Sequence, residues 1–219
     1  GQLVGAEALL RWRHPQLGLL KPERFIAVAE ECGLMVSIGT WVLRQACQRA
    51  RAWHDAGQDW SVSVNLSAAQ CLHNNLWHSV RDALGASGLP AASLALELTE
   101  ALLMKGGARL ADVLAQLRAL GVRLAIDDFG TGYSRLANLR HYPVDQLKID
   151  PSFLAEADGD TAVAATIIAM ARELQLTVVA EGVETAQQLA YLQAQGCQQY
   201  QGRYASAQVE GSAPGKLLF

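Results

Sequence analysis

Two adjacent carboxylates open the run Asp127-Asp128-Phe129-Gly130-Thr131-Gly132-Tyr133-Ser134. Acids placed side by side repel, so one is forced toward its neutral form unless a positive charge lies between them. Divalent cations meet that need, because hard cations take oxygen ligands. Four other apolar runs also deliver an acid or an amide. Leu3-Val4-Gly5-Ala6 leads to Glu7, Ser61-Val62-Ser63-Val64 to Asn65, Leu94-Ala95-Leu96 to Glu97, and Thr177-Val178-Val179-Ala180 to Glu181. A further run, Gln146-Leu147-Lys148-Ile149-Asp150, presents an amine. These residue types together suit the binding of divalent cations.

The runs that deliver these groups read as short strands. Successive side chains in a strand alternate faces, so Ser61, Ser63 and Asn65 share one face and Val62 and Val64 the other. Gly5, Ala95 and Ala125, two residues before an acid, keep the polar face small, and Val122 to Ile126 reads as the strand that ends at the aspartates. The intervals Glu97–Asp127 and Lys148–Glu181 match the roughly 30 residues of a strand–helix unit. Helices are predicted over Pro22–Cys32, Val36–Ala56, Ala108–Leu120, Thr161–Leu176 and Thr185–Gln195. Gly33, Gly57, Gly121 and Gly196 stand where a helix stop needs positive φ, and Asp160 or Thr161 can cap the helix before Leu176. Alternating strands and helices imply a parallel sheet. Acids at many strand ends favour an α/β (β/α)8 TIM-like barrel with its site at the C-terminal mouth, with an open doubly wound sheet as the alternative. The Gly130-Thr131-Gly132 turn lacks the third glycine of a dinucleotide fingerprint.

Composition narrows the classes. A chain of 219 residues with 51% hydrophobic content is read as one domain, residues 1–219, with a substantial core. The net charge of −3 and the lack of a basic run argue against a DNA or RNA polymer as partner. No apolar stretch reaches membrane-spanning length, and the expected location is cytoplasmic. Cys32, Cys47, Cys71 and Cys197 form no CxxC and read as free thiols, while the histidines lack zinc-site spacing.

The segment Gly5-Ala6-Glu7-Ala8-Leu9-Leu10-Arg11-Trp12 resembles the signature of the EAL-domain cyclic-di-GMP phosphodiesterases. The resemblance continues through Asn65-Leu66-Ser67, Glu97-Leu98-Thr99-Glu100, the Asp127 to Ser134 run, Lys148-Ile149-Asp150, Glu181-Gly182-Val183-Glu184 and Gln201-Gly202. It implies a barrel enzyme that opens cyclic di-GMP to the linear dinucleotide pGpG with two divalent ions, Mg²⁺ or Mn²⁺. Carried over, Glu7, Asn65, Glu97 and Asp127 would ligate one ion, and Asp127, Asp128 and Glu181 the second. Lys148 would orient the attacking water or neutralise the phosphate, with Glu181 the candidate general base. Glu100 would anchor the loop that follows Asp128, from Gly130 to Tyr133. Arg11, Asp150, Glu184 and Gln201 would bind substrate. The family also implies a homodimer and sensory or other signalling domains outside these residues.

Two departures from the family pattern stand out. The helix and strand that usually precede the Glu7 segment are absent, so a barrel lacking its first helix and strand is expected, with an edge near Leu3. After Gln201, Gly202-Arg203-Tyr204-Ala205-Ser206-Ala207-Gln208 lacks an aromatic, a basic residue and a proline of the family's tail. Two other classes stay open. One is a non-catalytic cyclic-di-GMP receptor or scaffold of the same fold. The other is a lyase using Lys148 as a Schiff-base amine, which borohydride trapping with a carbonyl substrate would reveal.

Overall fold

Parallel strands paired edge to edge, with helices between them in sequence, organise the computed structural model, which describes residues 2–131, 141–154 and 161–204. In chain order the elements begin with β1 (Gly5–Ala8), β2 (Trp12–His14), β3 (Gly18–Leu20), α1 (Ile26–Glu31) and α2 (Met35–Asp55). Then come β4 (Ser61–Asn65), α3 (Ala68–Leu72), α4 (Leu76–Ser87), β5 (Leu94–Thr99) and α5 (Glu100–Ala119). The remainder is β6 (Arg123–Phe129), β7 (Gln146–Ile149), α6 (Thr161–Glu173), β8 (Thr177–Ala180), α7 (Ala186–Ala194) and β9 (Gln199–Tyr200). Two compact units result. One comprises residues up to Glu97 with Ala108–Arg123, the other Leu98–Gly107 with the described residues from Leu124 onward.

In the first unit β4 pairs in parallel with both β1 and β5. Val62 and Val64 are fully buried, while Ser61, Ser63 and Asn65 are not, as alternation requires. Helix α2 covers this sheet with Val42, Leu43, Ala46, Cys47, Ala50 and Trp53, spaced three and four apart on one buried stripe. It stops where expected. Gly57 takes φ 80°, Gly57 N–H donates to His54 O, and Gln58 N–H donates to Trp53 O. That reciprocal pair satisfies two carbonyls of the last turn.

The second unit carries β6, β7, β8 and β9 as parallel neighbours. Leu147, Ile149, Val178 and Ala180 form its buried interior with Ala164, Ile168 and Ala171 of α6.

Several boundaries differ from the sequence expectation. Strand β6 runs on through both aspartates to Phe129 instead of ending before them. The segment from Pro22 breaks at Phe25, whose φ of −142° separates a 3-10 turn from α1. Helix α5 starts at Glu100, but its backbone leaves the helical region at Gly107 (φ 60°, ψ −162°), so the helix expected from Ala108 is its second segment and Glu100 to Lys105 lies in an additional first one. Helix α6 ends at Glu173, since Gln175 adopts φ 58° and closes the turn in the role usually given to glycine. Asp160, Tyr133, Ser134, Arg135 and the tail beyond Tyr204 lie outside the described residues.

All four cysteines are free thiols. Burial pushes the Cys47 and Cys71 thiols up to about 12, whereas Cys32 is exposed. A disulfide-exchange reagent at about pH 8 attacks thiolate, so Cys32 is expected to react first. Cys47 and Cys71 should react only after denaturant is added. Fast labelling of either in the folded protein would contradict their burial.

Candidate active site

The polar groups singled out above fall on the two units as two sets, described in turn. In the first unit, parallel register sets Asn65 opposite Glu97 and Glu7 opposite Ser63. Asn65 Nδ2 donates to Glu7 Oε1 at 2.7 Å, and Glu97 is only 2% exposed. Glu7, Asn65 and Glu97 thus stand on three neighbouring strands, with side-chain oxygen as their common donor. Arg11 is half-buried, its Nη1 donating to Leu10 O at 2.7 Å. It also borders a cavity of about 570 Å³ whose walls include Trp12, Phe25, Ile38 and Trp41. That cavity is apolar and shares only Arg11 with the predicted site residues, so it is not where an anionic substrate meets the acids.

The second unit shows how adjacent aspartates come to serve one site. In a regular strand Asp127 and Asp128 would point to opposite faces. Against β7, however, the register passes from Ile126↔Leu147 to Phe129↔Ile149, so β6 carries one extra residue at the aspartates. This is a β-bulge, and Asp128 sits in it at φ 53°, a region costly for a residue with a side chain. The consequence is convergence: carboxylate oxygens of Asp127, Asp128 and Glu181 all lie within 4.8 Å of one another.

The bulge is held from behind. Glu100 is the first residue of α5 and 3% exposed. Its Oε2 accepts the Gly130 N–H at 2.9 Å. Gly130 itself takes φ 98°, and a Cβ there would collide with Phe153 and Ile167. A carboxylate, a left-handed glycine and an aromatic wall therefore fix the backbone immediately after Asp128.

Lys148, 2% exposed, supplies the local positive charge. Its Nζ lies 2.6 Å from Glu181 Oε1 and 3.1 Å from Asp127 Oδ1. Glu181 Oε1 also accepts from Gln201 Nε2 at 2.7 Å. Asp127 Oδ1 is buried and takes no well-directed hydrogen bond, only the charge contact with Lys148. Three carboxylates thus converge, two of them against the Lys148 ammonium, and one buried oxygen takes no well-directed hydrogen bond. That donor set fits a hard divalent cation.

The remaining candidates have local partners. Asp150 Oδ1 accepts the Ser152 N–H at 2.8 Å, closing the turn after β7. Glu184 does not cap α7. Thr185 does, through a capping box with Gln188, while Glu184 Oε1 receives Arg203 Nε at 2.8 Å and Nη2 at 2.7 Å. Arg203 and Glu184 stand 19 positions apart in sequence, so no local signal connects them.

A family model described as the EAL domain matches residues 1–208, and the chain belongs to that family. It is 48% identical over 206 residues to the bifunctional diguanylate cyclase/cyclic di-GMP phosphodiesterase MucR of Pseudomonas aeruginosa, covering 92% of this chain and 30% of that protein. It is also 48% identical to the cyclic di-GMP phosphodiesterase NbdA of the same organism, covering 92% of this chain and 26% of NbdA. The chain thus spans less than a third of the length of these relatives. A solved MucR phosphodiesterase in complex with c-di-GMP superposes with a TM-score of 0.88 at 47% identity, covering 92% of this chain and 83% of that one. The fold is therefore the α/β fold of the EAL domains, as the strand-end acids had implied. Among the described residues, no helix is long and apolar enough to cross a membrane.

Removing the Glu100 carboxylate leaves the half-buried Gly130 N–H without this acceptor, a loss of about 1 kcal/mol. Glu100→Ala is expected to lower the urea midpoint accordingly, and Glu100→Gln, which keeps an acceptor oxygen, to restore most of it. Equal midpoints for the parent and Glu100→Ala would contradict the anchoring role.

Proposed function

We propose that this chain is a metal-dependent phosphodiesterase domain that hydrolyses cyclic di-GMP to the linear dinucleotide pGpG. The observation that carries this reading is the convergence of Asp127, Asp128 and Glu181 around buried Lys148 in a chain of the EAL family. Two divalent ions, Mg²⁺ or Mn²⁺, would be held by Asp127, Asp128 and Glu181 and by the Glu7, Asn65 and Glu97 set. When bound, such ions lower the pKa of water and stabilise charge on a phosphoryl group.

The protein's own groups have separable tasks. A phosphodiester resists attack because its anionic oxygens repel a nucleophile, so the site must neutralise charge before reaction. Lys148 does this from a fixed position, its Nζ locked between Glu181 Oε1 and Asp127 Oδ1. It also donates to water and so orients it toward phosphorus. Glu181 is the candidate proton acceptor. Its Oε1 already takes hydrogen bonds from Lys148 and Gln201, which weakens that oxygen as a base and assigns it an orienting role. Glu100 acts at one remove, by fixing the backbone that presents Asp128. Arg11, Asp150, Glu184 and Gln201 are assigned to substrate binding. Within a longer protein, the domain would work on the cytoplasmic side, as a homodimer coupled to sensory or other signalling domains.

Chromatography of cyclic di-GMP incubated with the protein and Mn²⁺ or Mg²⁺ is expected to show pGpG, and none when EDTA is added. Asp127→Asn and Glu7→Ala should each abolish turnover while the circular dichroism spectrum is kept. Glu100→Ala should lower turnover without touching substrate. Retained activity in Asp127→Asn would overturn the ligand assignment. Binding of the dinucleotide without turnover by the parent would establish a receptor instead.

A further inference from the structure

The chain that leaves β4 is tied down residue by residue. Asn65 ends the strand, and its Nδ2 donates to Glu7 Oε1, which makes Oδ1 the amide's ligating atom. Leu66 N–H donates to Glu97 O at 2.9 Å. The Ser67 N–H and hydroxyl then both donate to Gln70 Oε1, at 3.1 and 3.0 Å. Gln70 N–H returns a bond to Ser67 Oγ at 3.3 Å. One glutamine thus holds the turn immediately beyond Asn65.

A capping box alone does not account for where this glutamine lies. Gln70 is 4% exposed, although glutamine is mostly a surface residue. The equivalent box at α7, Thr185 with Gln188, closes with Gln188 only half-buried. The Gln70 amide instead lies against α2 at buried Gly39, where a Cβ would collide with its Cδ, Oε1 and Nε2. Glycine inside a helix is disfavoured relative to alanine, so α2 gives up stability at the point where the amide needs room. The same helix covers β4, and the amide is thereby wedged between that fixed wall and the turn that follows Asn65.

We propose that Gln70, seated on Gly39, is a positioning residue for the cation that Glu7, Asn65 and Glu97 would hold. This rests on the metal-dependent reading above. An asparagine ligand brings no net charge, so its contribution depends on where its oxygen points. Glu7 orients the amide nitrogen of Asn65, and the bonds of Leu66 and Ser67 fix the main chain that carries it. Gln70 touches none of the three ligands. It acts through Ser67 and the backbone, as groups around a metal's direct ligands do when they hold those ligands in place.

The test is Mn²⁺ binding without substrate, followed by the electron paramagnetic resonance signal of free Mn²⁺, for the parent, Gln70→Ala, Gly39→Ala and the double variant. The sites are told apart by Glu7→Gln, expected to remove one, and Asp128→Asn, expected to remove the other. Gln70→Ala should weaken the Glu7-dependent site about tenfold and leave the Asp128-dependent site unchanged. Gly39→Ala, which keeps the glutamine but takes the space of its amide, should weaken the same site. Added to Gln70→Ala, it should have no further effect, because no amide is left to displace. Unchanged affinity at the Glu7-dependent site in Gln70→Ala, or equal weakening of both sites, would overturn this proposal while leaving the enzyme reading intact. A parent from which Glu7→Gln removes no Mn²⁺ would overturn the ligand assignment on which the proposal rests.

Discussion

One extra residue in β6 is the constraint on which the second unit's chemistry depends. Without the bulge, period-two alternation would send Asp127 and Asp128 to opposite faces, and only one could join Glu181. The backbone accepts a left-handed aspartate to achieve this, a conformation of the kind that persists only where its surroundings over-determine it. Those surroundings are specific: the Glu100 carboxylate on Gly130 N–H, the tight space under Gly130, and the ladder from β6 to β7 on the other side.

Electrostatics explains why the same region holds a buried lysine. Converging acids repel, and Lys148 between Asp127 and Glu181 offsets part of that repulsion within the fold. Asp127 Oδ1, buried, takes no well-directed hydrogen bond. Three converging carboxylates of this kind could hold a divalent cation.

Much of this could be read from the sequence, for identifiable reasons. Strand-end acids, small residues on the same face and glycines past helix ends are local signals, and β4, β7, β8 and the end of α2 follow them closely. The bulge was hidden because two adjacent aspartates look the same in a regular strand and in a distorted one. Gly107, with its non-helical backbone, separates the expected helix from the helical segment ahead of it that begins at Glu100. The Ser67 and Gln70 capping box of α3 is likewise a local pattern in the sequence. The pairing of Gln201 with Glu181 and of Arg203 with Glu184 joins residues about 20 positions apart, which periodicity cannot connect.

The most direct test of this account is anomalous diffraction at the manganese edge from crystals of the protein grown with Mn²⁺. The account predicts a peak bounded by Asp127, Asp128 and Glu181, with the Asp128 bulge retained. Full-occupancy Mn²⁺ elsewhere, with no peak at these three carboxylates and Lys148 still bridging Asp127 and Glu181, would contradict it.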